Sequence, residues 1–383
     1  MATLDDAAFL RRTSLDSWAG YVVFAGSAPS VEPSEARQGH EDFIRDRPAE
    51  LRVRPIALSD VPDAAALSGA MRLDLPDSLV HSGRGLADVR AALPVLRRDR
   101  PTFVATADDR AVGVVRFSPR RPDGRWVISS IAASTGVYSP EPVWEALLGH
   151  GVRAAGLKGV RRLFARVPVG HALIETMRQS GWVPYAREAV FRADRFTPVS
   201  GSARDLRLQE PADTWAIHQL YAASVPRQIQ EVEALTSHFW HMDPPKRIRR
   251  GLRQTGWLLE ESGLLAGYAR YTRGPRAGMI DVVVEPGQRT SFGILLDGAL
   301  AGRQRGRERP IYCAIRGYSI DFSDQLIARG FSVIGEQELL IRYTTVTARR
   351  APFDAVHFPV ELRPAMPRRV PTFLEGQPTD GTI

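Results

Sequence analysis

The chain's most chemically suggestive stretch is Asp281-Val-Val-Val-Glu-Pro-Gly-Gln-Arg-Thr-Ser-Phe-Gly293. A β-branched run breaks at Glu285-Pro286-Gly287, and a helical pattern follows from about Ser291. Amides left unpaired where a helix starts, with the helix dipole behind them, form a natural seat for a phosphate or another anion. Two carboxylates, Asp281 and Glu285, flank this turn. A second cluster, His238-Phe-Trp-His241 followed by Asp243, puts two imidazoles one helical turn apart. Without a third ligand nearby this spacing reads as a pocket wall or plain packing rather than a metal centre. Cys313, the single cysteine, lies in Ile311-Tyr-Cys-Ala-Ile315, a buried-strand pattern, and reads as a small core residue rather than a nucleophile.

Composition narrows the classes. At 383 residues the chain exceeds one ordinary core, so two domains are expected. With 44% hydrophobic and 25% charged residues it reads as soluble and globular. The net charge of +8 comes almost wholly from arginine, Lys158 and Lys246 being the only lysines. No basic patch is interleaved with aromatic residues, so nucleic acid is not expected as a partner. The run Lys246-Arg-Ile-Arg-Arg250, with Arg253, reads as a solvated helix face or an attractor for an acidic ligand. No apolar stretch reaches the roughly 18 residues of a membrane span, so no membrane partner is expected. One cysteine makes no internal disulfide, which fits a reducing, cytoplasmic setting. Arg11-Arg12 before an apolar segment is similar to a twin-arginine leader. Asp5, Asp6 and Asp16 argue for a cytoplasmic extension instead.

The elements that must position these residues repeat. Residues 1–50 read as a partly disordered extension. Leu51 to Ile56 alternates as a strand, Ser59-Asp60 caps a helix over Val61–Met71, and Phe103–Phe117 is a hairpin turning at Asp108-Asp109. A strand at Trp126–Ala132, a helix at Val143–Ala155, a strand at Arg162–Val167, a helix at His171–Gln179 closed by Gly181, and a strand at Ala189–Ala193 complete a unit. The order then recurs. Leu206–Asp213 answers Leu51–Asp60, a helix follows over Ala212–Ala223, and Trp257–Tyr271 is a hairpin aligning Gly267-Tyr-Ala-Arg-Tyr with Gly113-Val-Val-Arg-Phe. Met279–Val284, Ile294–Gly302 and Pro310–Ile315 match the next strand, helix and strand. Leu326-Ile-Ala-Arg-Gly-Phe matches Met177-Arg-Gln-Ser-Gly-Trp. The chain reads as a tandem duplication, 51–196 and 204–346, followed by a Pro/Arg-rich tail over 347–383.

This repeated order resembles the GCN5-related N-acetyltransferase (GNAT) family, specifically its tandem members, over about three quarters of the chain. The carriers are a hairpin with a glycine in its second strand (Gly113, Gly267) and a helix ending in Gly-aromatic (Gly181-Trp182, Gly330-Phe331). The resemblance implies a mixed α/β (α+β) sheet in two GNAT-like acyl-CoA N-acyltransferase domains. It also implies acetyl-CoA as co-substrate, no metal, and a small-molecule or peptide amine as acceptor. It places the pantetheine arm along Val282, Val283 and Val284, and the pyrophosphate on a loop Arg/Gln-x-x-Gly-x-Gly/Ala. In the second half Gln288, Arg289, Thr290, Ser291, Phe292 and Gly293 fit that loop, with Ser291 for the first glycine and one residue fewer after Pro286. In the first half Pro140 and Pro142 carry no N–H, Glu141 adds charge and Trp144 adds bulk, so cofactor binding is expected to be lost there. The family's strand carboxylate falls on Asp281 as general base. Its usual tyrosine acid is replaced by Leu326, and by Met177 in the first half; Tyr318, before the same helix, is either the substitute acid or a packed strand-end tyrosine. Arg303, Arg305, Arg307 and Arg309 follow the loop helix, either as a solvated turn or toward the CoA ribose phosphate. The sequence thus supports an N-acetyltransferase with its site in the second half, or an inactive tandem fold serving as a binding or scaffold protein. The duplication can itself stand in for a homodimer, so the sequence assigns no oligomeric state.

Overall fold

A computed structural model describes residues 51–67, 71–73, 100–120, 124–134, 139–199, 206–242, 253–274, 277–301 and 309–344. The expected N-terminal extension and the Pro/Arg-rich tail lie outside the described residues, as do Asp243, Lys246, Arg303, Arg305 and Arg307. The fold is mixed α/β, as expected: one large sheet with helices against it.

In the first half the strands are β1 (Arg52–Pro55), β2 (Met71–Arg72), β3 (Thr102–Ala107), β4 (Arg110–Arg120), β5 (Arg125–Ala133), β6 (Arg162–Pro168) and β7 (Val183–Ala193). Its helices are α1 (Val61–Ala66), α2 (Pro140–Leu157) and α3 (Leu173–Gln179). The second half carries β8 (Arg207–Leu208), α4 (Thr214–Ser224), α5 (Arg227–Glu233), β9 (Arg253–Glu261), β10 (Leu264–Arg273) and β11 (Gly278–Val284). It continues with α6 (Arg289–Leu300), β12 (Ile311–Arg316), α7 (Ser323–Ile327) and β13 (Ser332–Tyr343). The hairpin at Asp108-Asp109 turns through positive φ at both residues, the geometry an Asx pair tolerates. Several boundaries differ from the expectation, β7 among them, which starts at Val183 rather than Ala189. The helix over 61–71 stops at Ala66 and Met71 is extended, Arg253 opens strand β9 rather than lying on a helix, and the loop helix starts at Arg289.

The sheet order is β1-β3-β4-β5-β6-β13-β7-β12-β11-β10-β9-β8, with β2 attached to β5. The last strands of the two halves are therefore exchanged. β13, from the second half, pairs antiparallel with β6 of the first, while β7, from the first, pairs antiparallel with β12 of the second. The exchanged strands also pair with each other over a long ladder. The largest cores lie under α2 and α6. The first gathers Phe117, Ile131, Leu147 and Leu163, the second Ile280, Leu295, Leu296 and Phe331. A third packs α4 and Trp240 on the other face of the second half, against Leu258 and Tyr268.

Candidate acyl-transfer site

The open strand edge comes first. β11 pairs in parallel with β12 only from Gly278 to Ile280, and among the described residues Asp281–Val284 have no partner on that side. The Gly278 N–H donates to the Pro310 carbonyl (2.9 Å), so Gly278 faces β12. Backbone groups alternate along a strand, and β11 pairs with β10 without a break in register. Val282 and Val284 therefore direct their N–H and C=O into the gap where β11 and β12 part. Asp281 and Val283 direct theirs to β10. The Val282 and Val284 side chains belong to the core under α6, and Val283 packs with Tyr268 on the opposite face.

The turn after Val284 then aims a helix at the same gap. Gly287 adopts φ 83°, a conformation that suits only a residue without Cβ. The Gln288 N–H donates to the Glu285 carbonyl (3.2 Å), that of Arg289 to Gly287 (2.9 Å), and that of Phe292 to Gln288 (3.1 Å). Between them, the amides of Thr290 and Ser291 meet no acceptor among the described residues. No carboxylate occupies the first turn of α6. The side chains divide sharply. Gln288, Arg289 and Thr290 are exposed, whereas Ser291 and Phe292 are 3% and 2% exposed. Phe292 stacks on Phe322 with ring centres 4.7 Å apart. Gly293 serves packing: a Cβ there would come within 2.7 Å of the Arg329 guanidinium. Arg329 in turn holds Asp297 through two 2.7 Å bonds and ties α6 to α7. Among the described residues Arg289 makes only loose pairs, with Asp321 (3.7 Å) and Asp324 (4.0 Å).

The matching place in the first half is closed. β5 and β6 also part early, pairing only over Arg125–Val127. Here the chain fills the gap itself: β2 pairs with Ser130 and Ile131, the Leu73 N–H donates to the Ser129 carbonyl (3.1 Å), and the Arg166 N–H donates to the Leu73 carbonyl (3.0 Å). Leu73 is fully buried. At the start of α2, Pro140 and Pro142 offer no amides. The Glu141 carboxylate accepts from the Ser139 hydroxyl and from its own backbone N–H, which lowers its pKa. Trp144 is buried beside His171.

The two catalytic candidates sit in neighbouring polar groups. Asp281 faces Arg270 across the β10–β11 ladder (3.3 Å). Arg270 lies 4.7 Å from the Phe239 ring centre and donates to the Phe239 carbonyl. Tyr318 follows β12 in the 3-10 turn Gly317–Phe322. Burial pushes its phenol up to about 12 against the opposing pull of Arg316, so it is a proton donor at neutral pH. Beneath it, Arg316 holds Glu188 (3.0 Å) and Glu233 (2.8 Å), Arg166 holds Glu188 (3.0 Å), and the Tyr221 hydroxyl donates to Glu233 (3.0 Å). No hydrogen bond joins Asp281 to Tyr318 among the described residues. Leu326, in the tyrosine slot, is fully buried.

The remaining candidates have local partners. The His238 and His241 rings stack at 5.2 Å in a short 3-10 turn beside buried Trp240. Among the described residues no group of three or more His, Cys, Asp and Glu side chains could hold a metal ion. Arg309 donates to the Gly274 carbonyl (2.6 Å). Cys313 is buried, and burial, with Asp281 and Glu188 nearby, pushes its thiol well above the ordinary range. The Arg316–Glu188–Glu233 cluster escaped the sequence reading because it joins β7, α5 and β12, residues distant in sequence. Alternation along the two strands gives the faces of Arg270 and Asp281, but only the β10–β11 register pairs them. No described helix is long and apolar enough to cross a membrane.

Comparison with known proteins gives structural likeness only. No protein-family model matches the chain, and no curated protein does. Among solved structures the chain is similar to a tandem GNAT protein from the clavulanic acid biosynthesis pathway. That match has 16% identity and a TM-score of 0.44, covering 77% of this chain and 99% of the other. It is also similar to a GCN5-related N-acetyltransferase from Sphaerobacter thermophilus, with 14% identity and a TM-score of 0.48 over 77% and 96% of the two chains. A putative acetyltransferase from Pyrococcus horikoshii matches at 13% identity and a TM-score of 0.42, over 81% of this chain and 94% of its own.

Proposed function

We propose that the protein is an acetyl-CoA-dependent N-acyltransferase whose site lies in the second half, with the first half supporting the fold. The observation that carries this reading is the contrast between two equivalent gaps. In the second half, unpaired backbone at Val282 and Val284 meets the free amides of Thr290 and Ser291; in the first, Met71–Leu73 and two prolines occupy both places. An extended pantetheine arm has the amides and carbonyls to pair with Val282–Val284, and a pyrophosphate would sit at the start of α6, near exposed Arg289. In the transfer, the acceptor amine nitrogen forms a bond to the thioester carbonyl carbon and the carbon–sulfur bond breaks. Asp281 takes the amine proton as general base, and Tyr318 returns a proton to the departing thiolate. The acceptor is a small-molecule or peptide amine, and the buried lone cysteine suits a cytoplasmic setting. The Arg270–Asp281 pair and Leu326 in the acid slot favour a second reading, an inactive binding or scaffold protein.

Thermal unfolding with acetyl-CoA is the first test. A ligand at a hundredfold excess over its Kd stabilises by about 2.7 kcal/mol. The Thr290→Glu variant separates binding from folding: a carboxylate in the first turn suits the helix dipole yet repels a phosphate. It should melt like the parent and lose the acetyl-CoA shift. Absence of any shift in the parent at millimolar acetyl-CoA sinks the proposal. The Asp281→Asn variant should keep the shift and lose turnover with an amine acceptor. A parent that binds but never turns over supports the scaffold reading.

A further inference from the structure

Three buried polar atoms that find no hydrogen-bond partner, Ser180 Oγ, Trp182 Nε1 and Arg342 Nε, belong to residues lining one cavity in the first half. The cavity has a volume of about 220 Å³. Helix α2 supplies Leu148, Gly149, Val152 and Arg153, the turn into β7 supplies Ser180 and Trp182, and Arg342 reaches in from the exchanged strand β13. Its polar side chains are all hydrogen-bond donors: two guanidiniums, an indole N–H and a hydroxyl. Among the described residues no carboxylate lines it. Arg342 Nη1 donates to the Gly181 carbonyl (3.0 Å), and Gly181, at φ 78°, is small enough to let the guanidinium lie against it. Among the described residues neither Arg153 nor Arg342 forms an ion pair.

The other exchanged strand supplies a control. The apolar run before Arg342 in β13 matches the one before Arg192 in β7, and there Asp194 accepts from the guanidinium at 2.6 Å. Its counterpart Arg342 in β13 has no carboxylate partner among the described residues and sits beside the cavity. Leu148 and Val152 give the lining its apolar part. We propose that this cavity binds a small monocarboxylate with a short apolar tail, the carboxylate on Arg342, Arg153 and Ser180 and the tail against Leu148 and Val152. This site draws on none of the residues assigned to acyl transfer, so it stands or falls separately.

Isothermal titration of the full chain with sodium butyrate tests it, with sodium sulfate and sodium chloride alongside. Butyrate should give saturable heat. Arg153 is exposed, so Arg153→Gln leaves the fold intact and should weaken butyrate at least about tenfold, as loss of a charge-assisted bond does. Gly149→Leu replaces a mid-helix glycine with a better helix former and fills the cavity, so it should melt no lower than the parent and abolish the heat. No saturable butyrate heat, or equal binding in both variants, overturns the site. Sulfate binding as strongly as butyrate overturns the carboxylate assignment.

Discussion

Glu188 shows how much one buried carboxylate can bear in this molecule. It is 3% exposed and lies between Arg166, Arg316 and Gln337, on three strands from both halves. Burial alone would raise its pKa, but the two guanidiniums prevail and hold it below the ordinary 4.5. Because the folded value lies below the unfolded one, this stabilisation is complete above pH about 4.5 and fades as pH falls through the folded value. Glu188→Gln should cost about 3–5 kcal/mol, since it removes the buried carboxylate that Arg166 and Arg316 share, and should flatten the acid limb of a stability–pH curve measured by urea unfolding. An unchanged acid limb would show that other carboxylates govern it. The thiol of Cys313 makes a second case at this scale. Burial favours its neutral form, so it should resist a disulfide reagent in the native protein and react fully in denaturant. Rapid native labelling would mean that the strand opens locally.

At the scale of elements, the start of α6 and the start of α2 amount to a natural experiment on one motif. Prolines stand at the first and third positions of α2, where they remove amides without breaking a helical bond. Transplanting that feature should reproduce its consequence. Thr290→Pro puts a proline at the second position of α6, deletes one of the two free amides and leaves the helix bonds intact. The expected result is an unchanged far-ultraviolet circular dichroism spectrum with acetyl-CoA affinity at least about tenfold weaker; full affinity would mean that the amide points away from the ligand. The prolines at 140 and 142, Trp144 and the Gly287 turn are local signals, and all were legible in the sequence. The strand at Met71–Arg72 was not. Its apolar spacing continues the α1 pattern, but Ser68-Gly69 weakens a helix there, and the unpaired edges of β5 and β6 offer a ladder instead. A long-range partner decided the conformation, and no window of sequence contains it. Asp281 was likewise legible as a strand carboxylate, whereas its pairing with Arg270 required knowing the β10–β11 register.

The exchange of β7 and β13 changes what the duplication means for the whole molecule. The repeat in the sequence implies two units that each close their own sheet. In the structure β6 finds its next partner in β13, and β12 finds its own in β7, so each half completes the other. The buried Glu188–Arg166–Arg316 cluster and the Arg178–Glu338 and Arg187–Glu338 pairs run across the same seam. Cutting the chain between the halves therefore differs from separating them. A chain nicked by an inserted protease site at residues 200–205, outside the described elements, should keep its fold, elute as one species and unfold in a single transition. Residues 51–199 produced alone would leave the β6 edge uncovered and deprive β7 of both neighbours, a bare edge that invites aggregation. Co-production with residues 204–345 should restore a soluble complex with the melting temperature of the nicked chain. If either half is instead soluble, monomeric and cooperatively folded alone, each last strand can pair within its own half, and the exchange is dispensable to the fold.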